Sequence, residues 1–313
     1  MKNKITLFIL SFLFFQDMLS VSLVYNMKIR RAVSLGAILQ SEQRVFWLLT
    51  ALPIFYERSR HIVAPTLHQN IYTKDKTAGA IFNIRGITSD HWWLEFTTGL
   101  ENQKTVSCGT ATFKTSRTGF DDIVLSAGKN FFLNDNAQCV VYGICGFPTK
   151  TSVNLLEAQG PLVGSRFFGL GAGAEFSYSF IKKLQRSLLA VAQARFVHFF
   201  NRKWFPILPC TAQIEPGNIT DLFIIMQYRE RKDVFEVGYN PTFFTNQGVR
   251  FQASHVASPN FVRNSFYANY LHLFMKSWIF KRPGAVGAGF NIGRADIFDT
   301  KIAACWFNVS LLF

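Results

Sequence analysis

The 313 residues are 49% hydrophobic and 16% aromatic, with 34 Phe, and only 17% are charged, which excludes a disordered chain. Lys and Arg outnumber Asp and Glu by 33 to 19, a formal charge of +14; on so apolar a chain this excess suits contact with lipid phosphates and argues against a nucleic-acid partner. Five Cys at irregular spacing make neither a disulfide framework nor a paired metal site, and read as small buried or lipid-facing thiols.

The chain opens with Lys2 and Lys4, an apolar run over Ile5–Phe15, and the small residues Ser20 and Ser22. This is the layout of a secretory signal, so residues 1–22 are expected to be removed and the mature chain to begin near Leu23. A run of about eleven apolar residues is short of the roughly twenty that a spanning helix needs. Residues 23–77 carry a basic cluster, Lys28, Arg30 and Arg31, and then "VFWLLTALPIFY" (Val45–Tyr56), which Pro53 interrupts. An extension, a plug and extra strands all remain open for this segment. No stretch after the signal resembles a membrane-spanning helix.

From residue 78 onward the apolar residues alternate with a period of two, the mark of strands with one apolar and one polar face. "AGAIFNIRG" sets Phe82 and Ile84 against Asn83 and Arg85, and "HWWLEFTTGL" sets Trp92, Leu94 and Phe96 against Trp93, Glu95 and Thr97. Weaker strands are expected over Thr105–Thr115, Phe120–Asn130 and Ala137–Phe147. "FFGLGAGAEFSYSF" is the cleanest, with Phe176, Tyr178 and Phe180 opposite Glu175, Ser177 and Ser179. Ala190, Ala192, Ala194 and Phe196 oppose Gln193 and Arg195; Leu222, Ile224, Met226 and Tyr228 oppose Asp221, Gln227 and Arg229; Phe235, Val237 and Tyr239 oppose Glu236 and Asn240. Asn264–Trp278 is ambiguous in facing, and Tyr270, His272 and Lys276 are assigned to the polar side. Val286, Phe290 and Ile292 oppose Asn291, and Cys305, Phe307, Val309, Leu311 and Phe313 oppose Ala304, Trp306, Asn308 and Ser310.

These segments make about twelve strands. Short links over 181–186, 229–233 and 280–284 alternate with long ones over 148–166, 201–218 and 245–263. Short turns at one rim and long loops at the other are the arrangement of an outer-membrane barrel. Alternation alone does not separate this from a β-sandwich or a lipocalin-like barrel, which turn the apolar face inward. The polar face is rich in Gly with scattered charges, whereas the apolar face ends in Phe and Tyr, as a lipid-facing band with aromatic girdles does.

The last strand resembles the terminal assembly signal of bacterial outer-membrane β-barrels, an alternating strand that ends on Phe. The resemblance implies that the barrel-assembly machinery reads Phe307, Val309, Leu311 and Phe313. The aromatic-rich, Cys-containing make-up is also similar to uncharacterised outer-membrane barrels of intracellular or symbiotic bacteria, a likeness that implies no specific activity.

Catalytic and metal chemistry find little support. Six His are scattered, with neither HExxH nor a paired spacing. The GxG patterns of "GLGAGAE" and "GAVGAGFNIG" alternate with apolar residues inside strands, so they read as inner-face glycines that keep a narrow lumen open or permit curvature. No enzyme, cofactor or metal is expected.

The expected architecture is therefore all-β: a transmembrane antiparallel β-barrel of about 12 strands over 78–313, in the bacterial outer membrane. Its lumen-lining set is Asn83, Arg85, Glu95, Glu175, Gln193, Arg195, Asp221, Gln227, Arg229, Glu236, Asn240, His272, Lys276, Asn291 and Asn308. The expected function is porin-like passage of small polar or anionic solutes. Two rivals are a closed structural or adhesive barrel and an outer-membrane lipase or protease. An open lumen favours the pore; a lumen filled by paired side chains favours the closed barrel.

Overall fold

A computed structural model describes residues 46–64, 69–88, 90–108, 112–149, 167–183, 185–200, 202–204, 212–251, 254–257, 259–274, 282–296 and 299–313. The expected signal at 1–22 lies outside these residues. Among the described residues there are seventeen strands and no α-helix. In chain order they are β1 (Phe46–Ala64), β2 (Gln69–Ile87), β3 (Trp92–Cys108), β4 (Thr112–Phe120), β5 (Ile123–Phe132), β6 (Ala137–Phe147), β7 (Gly169–Lys183), β8 (Arg186–Phe199), β9 (Arg202–Trp204), β10 (Ala212–Glu215), β11 (Asn218–Glu230), β12 (Asp233–Thr245), β13 (Gly248–Phe251), β14 (Ser254–Ala257), β15 (Phe261–Phe274), β16 (Gly284–Ala295) and β17 (Thr300–Leu312).

Thirteen of them form one antiparallel sheet, ordered β2-β1-β17-β16-β15-β12-β11-β8-β7-β6-β5-β3-β4, which closes through β2–β3. β4 and β5 occupy a single position, because both pair with β3. Leu100 opposes Phe120 and Thr97 opposes Val124, so three residues, 121–123, face two, 98–99. That is a β-bulge at the buried Asp121–Asp122 pair. The barrel thus has twelve positions around its circumference, and the β2–β3 pairing closes the ring. β9, β10, β13 and β14 make a separate four-stranded sheet from the segments that link β8 to β11 and β12 to β15.

The strand count agrees with the sequence expectation, but its membership does not. Among the described residues the first barrel strand starts at Phe46, ahead of residue 78: β1 and the first half of β2 lie in the segment whose structure the sequence left open. Conversely, Thr105–Thr115 is not a strand of its own; it contains the end of β3 and the start of β4, which pair as one hairpin. The physical reason is visible in "TKDKTA" (73–78). Its outward residues Lys74 and Lys76 are as polar as its inward ones, so no apolar face marks it as a strand.

Facing follows the expectation on almost every strand. Large apolar side chains point outward on all twelve, and their exposure runs from 44% at Phe82 to 65% at Phe120 in the series that includes Phe55, Phe196, Ile224, Phe290 and Phe307. A contiguous apolar exterior of this extent has no place in water. In a bilayer each such side chain gains about 1.5–3 kcal/mol from leaving water. This excludes the soluble β-sandwich and lipocalin-like alternatives.

β15 is the exception. Its inward residues are Phe261, Ser265, Tyr267 and Leu271. Tyr270 and His272 therefore face outward, contrary to the sequence assignment. The strand carries aromatic or apolar residues at both parities, Phe266 beside Tyr267 and Tyr270 beside Leu271, so alternation gives no direction. Pairing with β12 decides it: Tyr267 opposes Gly238 and Asn269 opposes the inward Glu236.

Candidate functional site

The interior of the barrel and its closing seam are the candidate site. At the seam β17 pairs with β1 from Leu48↔Leu312 to Ser59↔Lys301. Phe313 N–H donates to Trp47 O at 2.8 Å, and Trp47 N–H donates to Phe313 O at 2.9 Å. The ladder skips Leu52 and Pro53, since Pro has no N–H to give. Phe307, Val309 and Phe313 face outward, so three of the four assembly-signal side chains present an apolar row; Leu311 shares their parity but is buried among its neighbours.

The interior holds charge in cross-strand pairs. Arg195 of β8 lies opposite Asp221 of β11. Its Nε donates to Asp221 Oδ2 at 2.9 Å and its terminal nitrogen makes a second bond to the same oxygen. On the far side of the ring, Arg58 opposes Asp75 across β1 and β2. Arg58 donates through Nε at 2.9 Å and through a terminal nitrogen at 2.7 Å, Arg60 donates at 3.0 Å, and the Thr105 hydroxyl reaches the other carboxylate oxygen at 2.8 Å. Glu236 accepts from Gln227 at 2.9 Å and from Asn269 at 3.0 Å.

Around these pairs the predicted residues are largely where the sequence puts them. Asn83 donates to Thr97 at 2.7 Å, Gln193 donates to the Tyr142 hydroxyl at 2.6 Å, and Asn240 donates to Leu222 O at 2.7 Å. The Arg85 guanidinium sits 4.3 Å over the Trp93 ring, inside the barrel with Glu95. Asn308 accepts from Ser310, which is itself bonded to Thr50 across the seam. Asn291 is buried on β16 and Glu175 is half-buried on β7. Arg229 lies at the short-turn rim and donates to Arg231 O at 3.1 Å. His272 is a correction: it lies on the outer face and holds Asp233 at 2.9 Å. Lys276 falls outside the described residues.

Sequence reasoning missed Arg58, Arg60, Asp75, Arg263 and Asn269 as interior groups. "YERSR" does carry a signal, since Tyr56, Arg58 and Arg60 share one parity. It was masked because Glu57, Ser59 and His61 on the other parity are polar too.

Apolar side chains fill much of the remaining interior. One cluster runs from Leu52, Ile54 and Ile81 through Trp306 and Tyr267 to Phe223, Ile225 and Val191. β1 and β8 are six positions apart around the ring in either direction, so the cluster reaches opposite walls. Its aromatic rings lie over inner-face glycines: a Cβ added at Gly289 would fall 2.5 Å from Trp306, and Gly238 sits likewise beneath Tyr267. The strand glycines thus make room for rings that cross the wall, rather than space for solvent. Arg195 and Asp221 are only 3% and 2% exposed.

No protein-family model and no curated protein sequence matches the chain. Solved structures do. An outer-membrane channel from Pseudomonas putida F1 is similar with a TM-score of 0.56 at 12% identity, over 84% of this chain and 95% of the other. The transport unit of the autotransporter AIDA-I from Escherichia coli is similar with a TM-score of 0.50 at 12% identity, over 93% and 96%. At this identity the likeness shows the fold, which is that of bacterial outer-membrane β-barrels.

Proposed function

We propose that this chain is a non-enzymatic outer-membrane barrel whose lumen stands closed, and that it serves as a structural or surface-presenting element. The observation that carries this reading is the burial of its interior charges. Side chains that line a water-filled pore stay wet, yet Arg195, Asp221, Arg58 and Glu236 are all nearly inaccessible. Charges so enclosed persist when paired or hydrogen-bonded, as Arg195 is with Asp221, Arg58 with Asp75, and Glu236 with Gln227 and Asn269. The four-stranded sheet built from the links beside β8, β11, β12 and β15 gives the long-loop rim an ordered surface to present. The outward row of β17 is offered to the barrel-assembly machinery during insertion.

Porin-like passage of small polar or anionic solutes is the second reading. It is favoured by the polar and charged residues among the interior side chains and by the likeness to an outer-membrane channel, and it requires the ion pairs to part. Planar-bilayer recording of the refolded full chain separates the two. The closed barrel gives no steady conductance; stable ohmic steps from the wild-type protein overturn it in favour of the pore.

A further inference from the structure

The outer wall carries a feature that neither reading uses. Two neighbouring rows of the sheet cross the seam on the outside. The first runs Phe290, Cys305, Phe55, Ala78 and Asn102; the second runs Ile292, Ala303, Glu57, Lys76 and Lys104. Small side chains at Ala78, Ala303 and Cys305 alternate with the large, outward Phe55, Phe290 and Ile292. The result is an open groove of about 670 Å³. Toward the membrane midplane it is apolar. On the side nearer the rim where β16 turns into β17, lysines border it. Glu57 holds Lys74 at 2.7 Å and Lys76 at 3.8 Å, so three lysines, Lys74, Lys76 and Lys104, stand against one carboxylate.

We propose that this groove binds a phosphorylated lipid, with an acyl chain between Phe55 and Phe290 and the headgroup phosphate between Lys76 and Lys104. The argument is complementarity of both kinds at one place. An acyl chain lowers its free energy by covering exposed Phe and Ile side chains. A phosphate answers the surplus of lysine charge at the depth where headgroups begin. The rim concerned is the one that bears the long links, which faces outward in barrels of this type, so the lipid belongs to the outer leaflet. The roughness of the wall makes the site: a smooth belt of Phe and Leu would offer the chain no recess.

The inference rests on the barrel lying in a bilayer, not on whether its lumen is open. Vesicle flotation of the full chain tests the bilayer premise by itself; a protein that floats but shows no lipid preference sinks only the groove. The site is tested by native mass spectrometry of the full chain in neutral detergent, titrated with phosphatidic acid or with diacylglycerol of the same chains. At about 1 kcal/mol per lysine, two lysines favour phosphatidic acid by about thirtyfold. The variant Lys76→Gln/Lys104→Gln should lose that preference, whereas Lys129→Gln, on the outer face of β5, should keep it. Ala78→Trp leaves the lysines in place and fills the recess, so it should weaken both lipids alike. The proposal is wrong if Lys76→Gln/Lys104→Gln still prefers phosphatidic acid. It is also wrong if millimolar inorganic phosphate displaces the lipid, which would reassign the lysines to a soluble anion.

Discussion

Two ion-pair sites face each other across the barrel, and they differ in stoichiometry and in visibility. On β8 and β11 one arginine meets one carboxylate, Arg195 with Asp221, as directly opposed residues. On β1 and β2 a single carboxylate, Asp75, serves both Arg58 and Arg60. The first joins one arginine to one opposed carboxylate; at the second, one carboxylate is shared by two arginines. Both are buried, so both must be held by geometry rather than by solvent. The asymmetry predicts that the two sites respond differently when their acids are removed.

The largest effect is expected at the crowded site. Asp75→Ala removes the carboxylate that accepts from both arginines and from Thr105. Breaking a buried pair by deleting one partner costs about 3–5 kcal/mol, and here two cations share the loss. Urea titration of protein refolded into vesicles should show a destabilisation at the top of that range. Asp221→Ala should fall lower in the range. If both substitutions cost the same, the sharing of Asp75 carries no energetic weight and the contrast fails.

The same contrast explains what could be read from sequence. Arg195 and Asp221 were legible because their strands alternate cleanly: Ala192, Ala194 and Phe196 on β8 and Leu222 and Ile224 on β11 fix the outward face, and the polar residues between them must point in. Arg58 and Asp75 were not legible, because Glu57, Lys74 and Lys76 make the outward face polar as well. Where a strand rises out of the apolar belt its two faces look alike, and only the pairing partner shows which is inside. His272 on β15 failed for the mirror reason, an apolar excess on both parities. Burial was the third illegible quantity. Polar inward residues are compatible with a wet pore or a dry mesh, and rings over Gly289 and Gly238 depend on neighbours distant in sequence.

An intermediate effect sharpens the comparison by changing face instead of partner. Ala174 is outward on β7, opposite Ala194 of β8 in the register. Arg at that position places a charge in the lipid belt, which costs roughly 2–4 kcal/mol near the midplane. Ala174→Arg should therefore reduce folded yield, read as loss of the heat-modifiable band in cold electrophoresis. A variant that folds at the wild-type level would show that the wall of β7 and β8 does not face lipid.

The smallest effect is expected when the one-to-one pair is replaced whole. A buried ion pair is weak grounds for stability, since the cost of desolvating two charges offsets most of their attraction; exchanging both for apolar residues of similar volume is often neutral or stabilising. Arg195→Met with Asp221→Leu removes both members of the pair, and Val191, Phe223 and Ile225 nearby already form an apolar surface for the new side chains. The double variant should keep its unfolding free energy, read by urea titration, within about 1 kcal/mol of wild type, a change far smaller than that of either single substitution. The equivalent exchange at the other site differs, because replacing Arg58 and Asp75 also removes a carboxylate oxygen to which Arg60 donates. A double variant at Arg195 and Asp221 as unstable as Asp221→Ala alone would mean that the pair stabilises the fold beyond its own charges. The closed lumen would then depend on that wall more than on the Asp75 site.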